Sequence, residues 1–394
     1  TEWLENHPVL IGPTTASSQR TTSWQDDICS RLNAWRTAGL DRSPRTFCSP
    51  QSPNALTTDG PALLFSSSDY LGMSTEPQVQ QAMITAVRRL GCSSGGSRLT
   101  TGTSLAHQRA EHETAAWLGY PQAVFMASGY QANIATIQLL AGPDVTVISD
   151  ADNHASLIDG CRLARARTVV VPHADLDAIE AALERVTTNR ALVLAEGVYS
   201  MGGDVTPVAK LVEITHHHGA LAVVDDAHGI GTVGPTGRGV TEGLPASQRP
   251  DVLLATASKA LGVEGGFACV DETLADLICN CARGYAFSSA SSPVVAAAVA
   301  ASVQYLRADT NRVRRLQANV TQARRLLAEA GLIPPPTAND LGPIIRVPVG
   351  PESRAVAVQD ELARRGLMVG AIRYPAVAKG DAILRICLTA RHTD

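Results

Sequence analysis

The sequence lacks the features that mark membrane, nucleic-acid-binding and secreted proteins. No apolar run reaches the roughly 20 residues that cross a bilayer, and the longest, residues 294–303, is alanine-rich and predicts a buried helix. The start of the chain has neither the basic nor the apolar region of a signal peptide. The formal net charge of −4 provides no excess of positive charge for nucleic acid or an anionic membrane. We therefore expect a cytoplasmic globular protein.

The sequence also lacks the cysteine and histidine spacings of a metal site. Eight cysteines are scattered through 394 residues, several in apolar stretches, which favours reduced and buried thiols. Cys279 and Cys281 are separated by one residue, which is not a zinc-site spacing. The histidines at 216–218 end a helical pattern just before Gly219, where histidine suits a helix C-terminus. The sequence therefore predicts no metal site.

What the sequence does contain is the pattern of a large α/β domain. Helical patterns at 130–141, 175–186 and 207–218 alternate with continuous apolar runs. Such strands separated by helices predict a mostly parallel sheet of seven strands, covered on both faces. The seven strand-like runs lie at 122–127, 145–149, 168–172, 191–195, 220–225, 252–256 and 266–270.

We divide the chain into three parts. Residues 1–60 form a polar N-terminal segment with one amphipathic helix near 24–38, and residues 61–292 form the large α/β domain. Residues 293–394 begin with one long helix to about 331 and end in a smaller α+β domain with a helix at 352–365. The chain begins with Thr1 instead of methionine, so we expect a trimmed N-terminus.

Polar residues follow almost every predicted strand. In such a sheet ligands bind outside the carboxyl ends of the strands, so these residues outline one cleft. The turn of Ser128, Gly129 and Tyr130 opens a helix and offers backbone N–H groups to a phosphate. The other residues at strand ends are His154, Glu196, Ser200, Asp225, Asp226, His228, Thr256, Ser258 and Lys259.

Two glycine-rich stretches resemble nucleotide-binding motifs without meeting their requirements. "GIGTVG" at 229–234 follows a strand, but a loop comes after it where a dinucleotide site needs a helix. "GSRLTTGTS" at 96–104 lacks the lysine of a P-loop. We expect the second stretch to face a phosphate or an oxyanion, with Arg98 as its cation.

Lys259 stands among small residues in "ATASKALGVEGG", directly after a buried strand. Pyridoxal 5′-phosphate (PLP) needs a lysine for its Schiff base, an acidic partner for its pyridinium nitrogen and a phosphate site. We assign Lys259 and Asp225 to the first two roles and expect a histidine to stack on the ring. Asp226 faces the other side of its strand and is interpreted as structural. The alternatives are a solvated loop lysine for Lys259 and a helix cap for His154.

Nine motifs occur in this order along the chain: "SDYLGM", "GGSRLTTGT", "SGYQAN", "NHASLIDG", "EGVYSMGGD", "VVDDAHGIGTVGPTGRG", "SKALGVEGGF", "FSSASSP" and "LRICLTARHT". Together they resemble the α-oxoamine synthases, which are fold-type-I PLP-dependent transferases. The resemblance covers about residues 60–394, is strongest to the biotin-synthesis members, and implies a PLP-binding large domain plus a smaller α+β domain. Relatives usually continue with a final helix, so we expect a missing or trimmed tail after Asp394.

The resemblance implies a role for each matching residue. Lys259 is the catalytic base, Asp225 pairs with the ring nitrogen, and His154 stacks on the ring. His228 bonds the phenolic oxygen of the cofactor, with Ser200 nearby. Arg385 binds the amino-acid carboxylate. The phosphate is held by Gly129, Tyr130 and Thr256, and Ser289 reaches the phosphate of the other subunit's cofactor. Ser289 as a plain turn hydroxyl and Arg385 as a structural ion pair remain alternatives.

The implied reaction is a decarboxylative Claisen-type condensation in a homodimer with shared active sites. L-alanine and a pimeloyl-like thioester, on coenzyme A or an acyl carrier protein, give an α-amino ketone and CO₂. Four positions depart from the family pattern: Ser68 replaces asparagine, Tyr374 replaces proline, Ala376 replaces threonine, and Val263 replaces glycine. A relative in secondary metabolism, using another thioester with glycine or serine, is the alternative. A catalytically dead subunit and a transaminase fit the motifs poorly.

Overall fold

The computed structural model describes residues 23–393, and residues 1–22 and 394 lie outside that range. Two compact units are present: Ser67–Ile345, with short pieces at 50–53 and 387–394, and a smaller unit of 54–66, 346–386 and the residues up to Ser49. In the described range no helix combines the length and the apolar character needed to cross a membrane.

The larger unit contains a seven-stranded sheet in the order β3-β9-β8-β7-β6-β4-β5. Only β9 runs against its neighbours; the other pairs are parallel. The predicted, mostly parallel seven-stranded sheet is therefore confirmed. Its strands are β3 (Gln122–Met126), β4 (Val145–Asp150), β5 (Arg167–Val171), β6 (Arg190–Glu196), β7 (Leu221–Asp225), β8 (Val252–Thr256) and β9 (Gly266–Val270).

Helices cover this sheet, which explains why its central strands are apolar without alternation. Every residue of β4, β8 and β9 is buried, as expected for strands covered on both faces. The helices of this unit are α2 (Pro77–Leu90), α3 (Leu105–Leu118), α4 (Gly129–Leu140), α5 (Ala155–Ala164), α6 (Leu176–Glu184), α7 (Val208–His217), α8 (Glu272–Cys281), α9 (Arg283–Ala286), α10 (Pro293–Ala308) and α11 (Asn311–Glu329).

The long helix expected at 293–331 is two helices in the structure, so that expectation was wrong. Helix α10 ends at Ala308, and Asp309 adopts an extended conformation before α11 begins. Helix α10 packs against α2 and α3, which places it in the larger unit, although the sequence grouped it with the C-terminal part.

The smaller unit combines two helices with short strands. Helix α1 (Trp24–Thr37) starts at a capping box of Ser23 and Asp26. Strands β1 (Asn54–Thr57), β2 (Gly60–Leu64) and β11 (Leu367–Met368) form one three-stranded sheet. Strands β10 (Ile344–Gly350), β13 (Ala382–Cys387) and β12 (Gly370–Ile372) form another, and α12 spans Glu352–Arg364.

Candidate active site

Acidic side chains meet at the carboxyl edge of the large sheet. Glu196 ends β6 and Asp225 ends β7, and the two are register partners on adjacent parallel strands. Thr256 ends the next strand, β8. Parallel strands bring their carboxyl ends to one edge, so the residues predicted from separate strand ends do converge.

Asp225 is a buried carboxylate held in place at both oxygens. Its Oδ2 accepts a bond of 2.6 Å from the Asn133 amide, and its Oδ1 accepts one of 3.0 Å from the backbone N–H of Ala227. Asp226 is instead bonded by the backbone N–H of Val240 at 2.9 Å. Burial raises the pKa of Asp226 well above its usual range, which agrees with the structural role expected for it.

Lys259 ends a chain of polar contacts that begins in the core. Its Nζ lies 2.8 Å from Nε2 of His228. The other ring nitrogen, Nδ1, lies 2.7 Å from the hydroxyl of Tyr70, which is fully buried. A ring nitrogen fixed in this way restricts the tautomer that the other nitrogen presents to the lysine. The structure therefore brings together two residues that were predicted separately, Lys259 and His228, and adds Tyr70; the bond of His228 to a cofactor stays a prediction.

Glu196 contributes a carboxyl group with one open oxygen. Its Oε2 accepts a 3.0 Å bond from the backbone N–H of Ser200, so the two predicted residues are neighbours. Among the described residues, Oε1 is buried and has no hydrogen-bond partner. Burial, together with the charge of Asp225, raises the pKa of Glu196 to about 8.

His154 is the N-cap residue of α5. Its Nδ1 accepts a 3.3 Å bond from the backbone N–H of Ser156 and lies 2.7 Å from the hydroxyl of that residue. Burial lowers the pKa of His154. The helix-cap role therefore holds for Nδ1 of His154. Stacking of its ring face on a cofactor stays a prediction.

The turn at the start of α4 lies directly against β9. Ser128 caps the helix by accepting a 3.1 Å bond from the N–H of Gln131. The first N–H groups of a helix have no partner within it, which leaves those of Gly129 and Tyr130 for an anion. A Cβ on Gly266 would lie 2.4 Å from the Ser128 carbonyl oxygen, so only glycine permits this approach.

Thr256 stands beside this turn, although its hydroxyl is engaged locally. Its Oγ1 donates to the Gly265 carbonyl at 2.9 Å and lies 2.8 Å from the hydroxyl of Ser258. A Cβ on Gly129 would lie 3.0 Å from the Thr256 Cβ. The predicted phosphate contacts are therefore adjacent. Val263 closes the lysine loop through its backbone N–H, bonded to Ala257 at 3.0 Å.

Arg98 does not join this cluster. Its guanidinium forms an ion pair with Glu111 at 3.0 Å and donates to the Phe125 carbonyl at 2.9 Å. With its charge neutralised and its side chain buried, Arg98 fixes the loop of 96–104, which argues against its predicted role in substrate binding. That loop forms a bridge with Ser289, which is exposed.

The structure shows local contacts for three further residues predicted to bind substrate. Ser68 is half-buried, and its carbonyl accepts a 2.8 Å bond from the N–H of Tyr70. Tyr374 is buried in the smaller unit, with Lys379 5.0 Å from its ring centre. Arg385 lies on β13 opposite Gly370. Residues 235–245, directly after "GIGTVG", form turns and irregular structure, as expected, and a single 3₁₀ turn follows at Ala246–Gln248.

Comparisons with known proteins place the chain among curated and solved relatives. The family model described as aminotransferase class I and II matches residues 61–394. The biotin biosynthesis bifunctional protein BioWF of Cutibacterium acnes is 83% identical over the whole chain, which covers 60% of that protein. The chain thus spans less than two thirds of the length of this relative.

Two further relatives match nearly end to end. The 8-amino-7-oxononanoate synthase of Paraburkholderia phymatum is 40% identical over 90% of this chain and 91% of that protein. The serine palmitoyltransferase of Sphingomonas wittichii superimposes with a TM-score of 0.87 at 31% identity, covering 96% of this chain and 95% of its own.

Proposed function

We propose that this chain, which belongs to the class I and II aminotransferase family, is a PLP-dependent enzyme. In the proposed reaction it condenses an amino acid with an acyl thioester and releases CO₂. L-alanine is the proposed amino acid, and a pimeloyl group on coenzyme A or a carrier protein is the proposed acyl donor. The relatives named for biotin biosynthesis and 8-amino-7-oxononanoate synthesis support this choice. The observation that carries the proposal is the amine of Lys259, which lies 2.8 Å from Nε2 of His228, three residues after the buried Asp225 that ends β7.

The residues present fit PLP. The start of α4, where the N–H groups of Gly129 and Tyr130 have no partner within the helix and the backbone packs tightly against Gly266, suits a phosphate. Asp225 is a buried carboxyl group of the kind that pairs with a positively charged ring nitrogen, and the neighbouring Glu196 has an unpartnered oxygen among the described residues. Once bound, the cofactor supplies a ring that accepts electrons from the α-carbon of the amino acid. We assign it to the part of the chain at 61–292.

The side chains then divide the work of binding and proton transfer. Asp225, held in place by Asn133 and the Ala227 N–H, would face the ring nitrogen and favour its protonated form. Lys259 would hold the cofactor through its amine and would serve as the general base for the α-proton. His228 and Ser200 would bond the phenolic oxygen, and His154 would cover the ring.

Substrate recognition and assembly extend the proposal. Arg385 binds the amino-acid carboxylate with its two-pronged guanidinium, while Ser68 and Tyr374 shape the substrate and acyl sites. The protein acts as a cytoplasmic homodimer in which the exposed Ser289 contacts the phosphate of the partner's cofactor.

A second candidate is condensation of serine with a long-chain thioester, which the structural likeness to serine palmitoyltransferase favours. A substrate panel separates the two. We expect thiol and CO₂ release with L-alanine and a pimeloyl thioester, and little with serine and a palmitoyl thioester. The reverse pattern would establish the second candidate and contradict the first. A purified protein without the visible absorption of bound PLP would contradict both.

A further inference from the structure

His173 joins two carboxylates from different segments, outside the cofactor contacts described above. Its Nδ1 lies 3.0 Å from Asp150, which ends β4, and its Nε2 lies 3.0 Å from Asp204, in the loop after β6. A neutral imidazole has a single N–H, so only the doubly protonated ring donates to both carboxylates. Burial lowers the pKa of His173, but the two carboxylates outweigh it and raise the pKa to about 10.

The Asp150 end of this bridge is fixed to the sheet. Its side chain is only 2% exposed. It accepts bonds of 2.8 Å from the backbone N–H groups of Asp152 and Ala174. Burial raises the pKa of Asp150, but His173 and these backbone donors outweigh burial and hold it below its usual value. Asp150 is therefore a charged anchor at the carboxyl edge of the sheet.

The Asp204 end belongs to a hairpin that carries Ser200. We call residues 197–206 the serine hairpin. It is closed by the Tyr199 N–H on the Asp204 carbonyl at 3.0 Å and by the Gly203 N–H on the Tyr199 carbonyl at 2.8 Å. The ring of Tyr199 meets the His173 ring edge-on, with centroids 4.3 Å apart. Asp204 and Ser200 therefore belong to one hydrogen-bonded hairpin, in which Ser200 is also tied to Glu196 through its backbone N–H.

We propose that His173 is a positioning residue: its charged bridge between Asp150 and Asp204 fixes the serine hairpin to the sheet and so holds Ser200 against the cofactor. The inference rests on the proposed function, because the contact of Ser200 with the phenolic oxygen belongs to that proposal. His173 itself touches neither cofactor nor substrate. Its effect is on the hydrogen bond that Ser200 donates.

The test is a pH titration of the visible absorption of bound PLP without substrate, since a hydrogen bond to the phenolic oxygen alters its midpoint. We expect His173→Gln to move the midpoint in the same direction as Ser200→Ala, by at least half as much. The double variant should move it no further than Ser200→Ala. His216→Gln is the matched control, because His216 also contacts an aspartate, Asp251, at 3.0 Å, and it should leave the midpoint unchanged.

The outcomes separate the two proposals. A His173→Gln protein that melts earlier but keeps the wild-type midpoint would show a purely structural bridge and overturn the inference. A Ser200→Ala protein with an unshifted midpoint would overturn it as well. Absence of the absorption in the wild type would instead defeat the proposed function. If His173→Gln does not fold, Asp204→Asn removes the more exposed end of the bridge and must produce the same shift.

Discussion

Replacing Gly266 with alanine tests whether the phosphate turn depends on close backbone packing. The new Cβ would lie 2.4 Å from the Ser128 carbonyl oxygen and 2.5 Å from the Gly129 nitrogen. Both are backbone atoms, so neither can rotate away. Strand β9 cannot retreat, because it pairs with β3 on one side and β8 on the other. The turn must therefore move by about 1 Å to reach the ordinary contact distance of 3.4 Å.

The expected cost has two parts. Overpacking of a well-packed region costs about 1–3 kcal/mol, which lowers the melting temperature of the apo-protein by a few degrees. A hydrogen bond to a charged group contributes about 1.5–3 kcal/mol, so displacing one phosphate donor weakens PLP binding by roughly 10- to 100-fold. Absorbance titration of the apo-protein with PLP measures the second part directly.

Gly370→Ala is the control, because its Cβ would meet nothing closer than 3.7 Å. It should retain the wild-type PLP affinity. Wild-type PLP affinity in Gly266→Ala would refute the assignment of the phosphate to this turn. Equal weakening in both variants would show that the effect is not local.

Three further predictions concern the charged cluster. Lys259→Ala should lose the covalently held visible absorption of bound PLP, whereas Lys210→Ala should keep it; retention in the first variant would place the cofactor amine elsewhere. Asp225→Asn should reduce kcat/KM about 10- to 100-fold, the loss of one hydrogen bond to a charged group, whereas Asp226→Asn should keep most of it, because Asp226 bonds the backbone N–H of Val240 instead; equal losses in kcat/KM would contradict this division. Since burial raises the pKa of Glu196 to about 8 from 4.5, the folded apo-protein holds a proton that the unfolded chain releases, and stability falls as pH rises through that window. Glu196→Gln should reduce the pH dependence of the urea unfolding midpoint between pH 5 and 8. An unchanged pH dependence would contradict the raised pKa of Glu196.

The sheet and its edge residues were predictable from the sequence for physical reasons. Strands buried on both faces are rich in consecutive apolar residues, so β7 and β8, each with four in a row, stand out. The carboxyl ends of parallel strands share an edge, so the alternation of strands and helices is enough to place Glu196 and Asp225 together. Lys259 also stands out by its rarity, because the chain contains only three lysines, the others being Lys210 and Lys379.

Residues whose position depends on tertiary packing were missed. Asn133 lies on the second turn of α4, and Tyr70 lies in a loop, and nothing local shows that they reach Asp225 and His228. Arg98 looked like a free cation because Glu111, its partner, is 13 residues away along the chain. The break between α10 and α11 contains neither glycine nor proline, so the sequence there gives no signal that the helix ends. His173 gave no signal beyond its place after a strand.

The reversed direction of β9 has a consequence for the reach of Lys259. Thr256 and Gly266 are register partners, so the loop leaves and re-enters the sheet at the same edge. Parallel neighbours such as β4 and β5, or β6 and β7, are joined by longer crossovers that contain a helix. Lys259 instead lies in a short loop whose two ends are both fixed in the sheet. The ends are also joined by a hydrogen bond of 2.9 Å from the Ala257 N–H to the Gly265 carbonyl. The length of this loop therefore determines how far the Lys259 amine lies from the edge of the sheet. Inserting a single residue into the loop would change that distance even if every other side chain stayed in place.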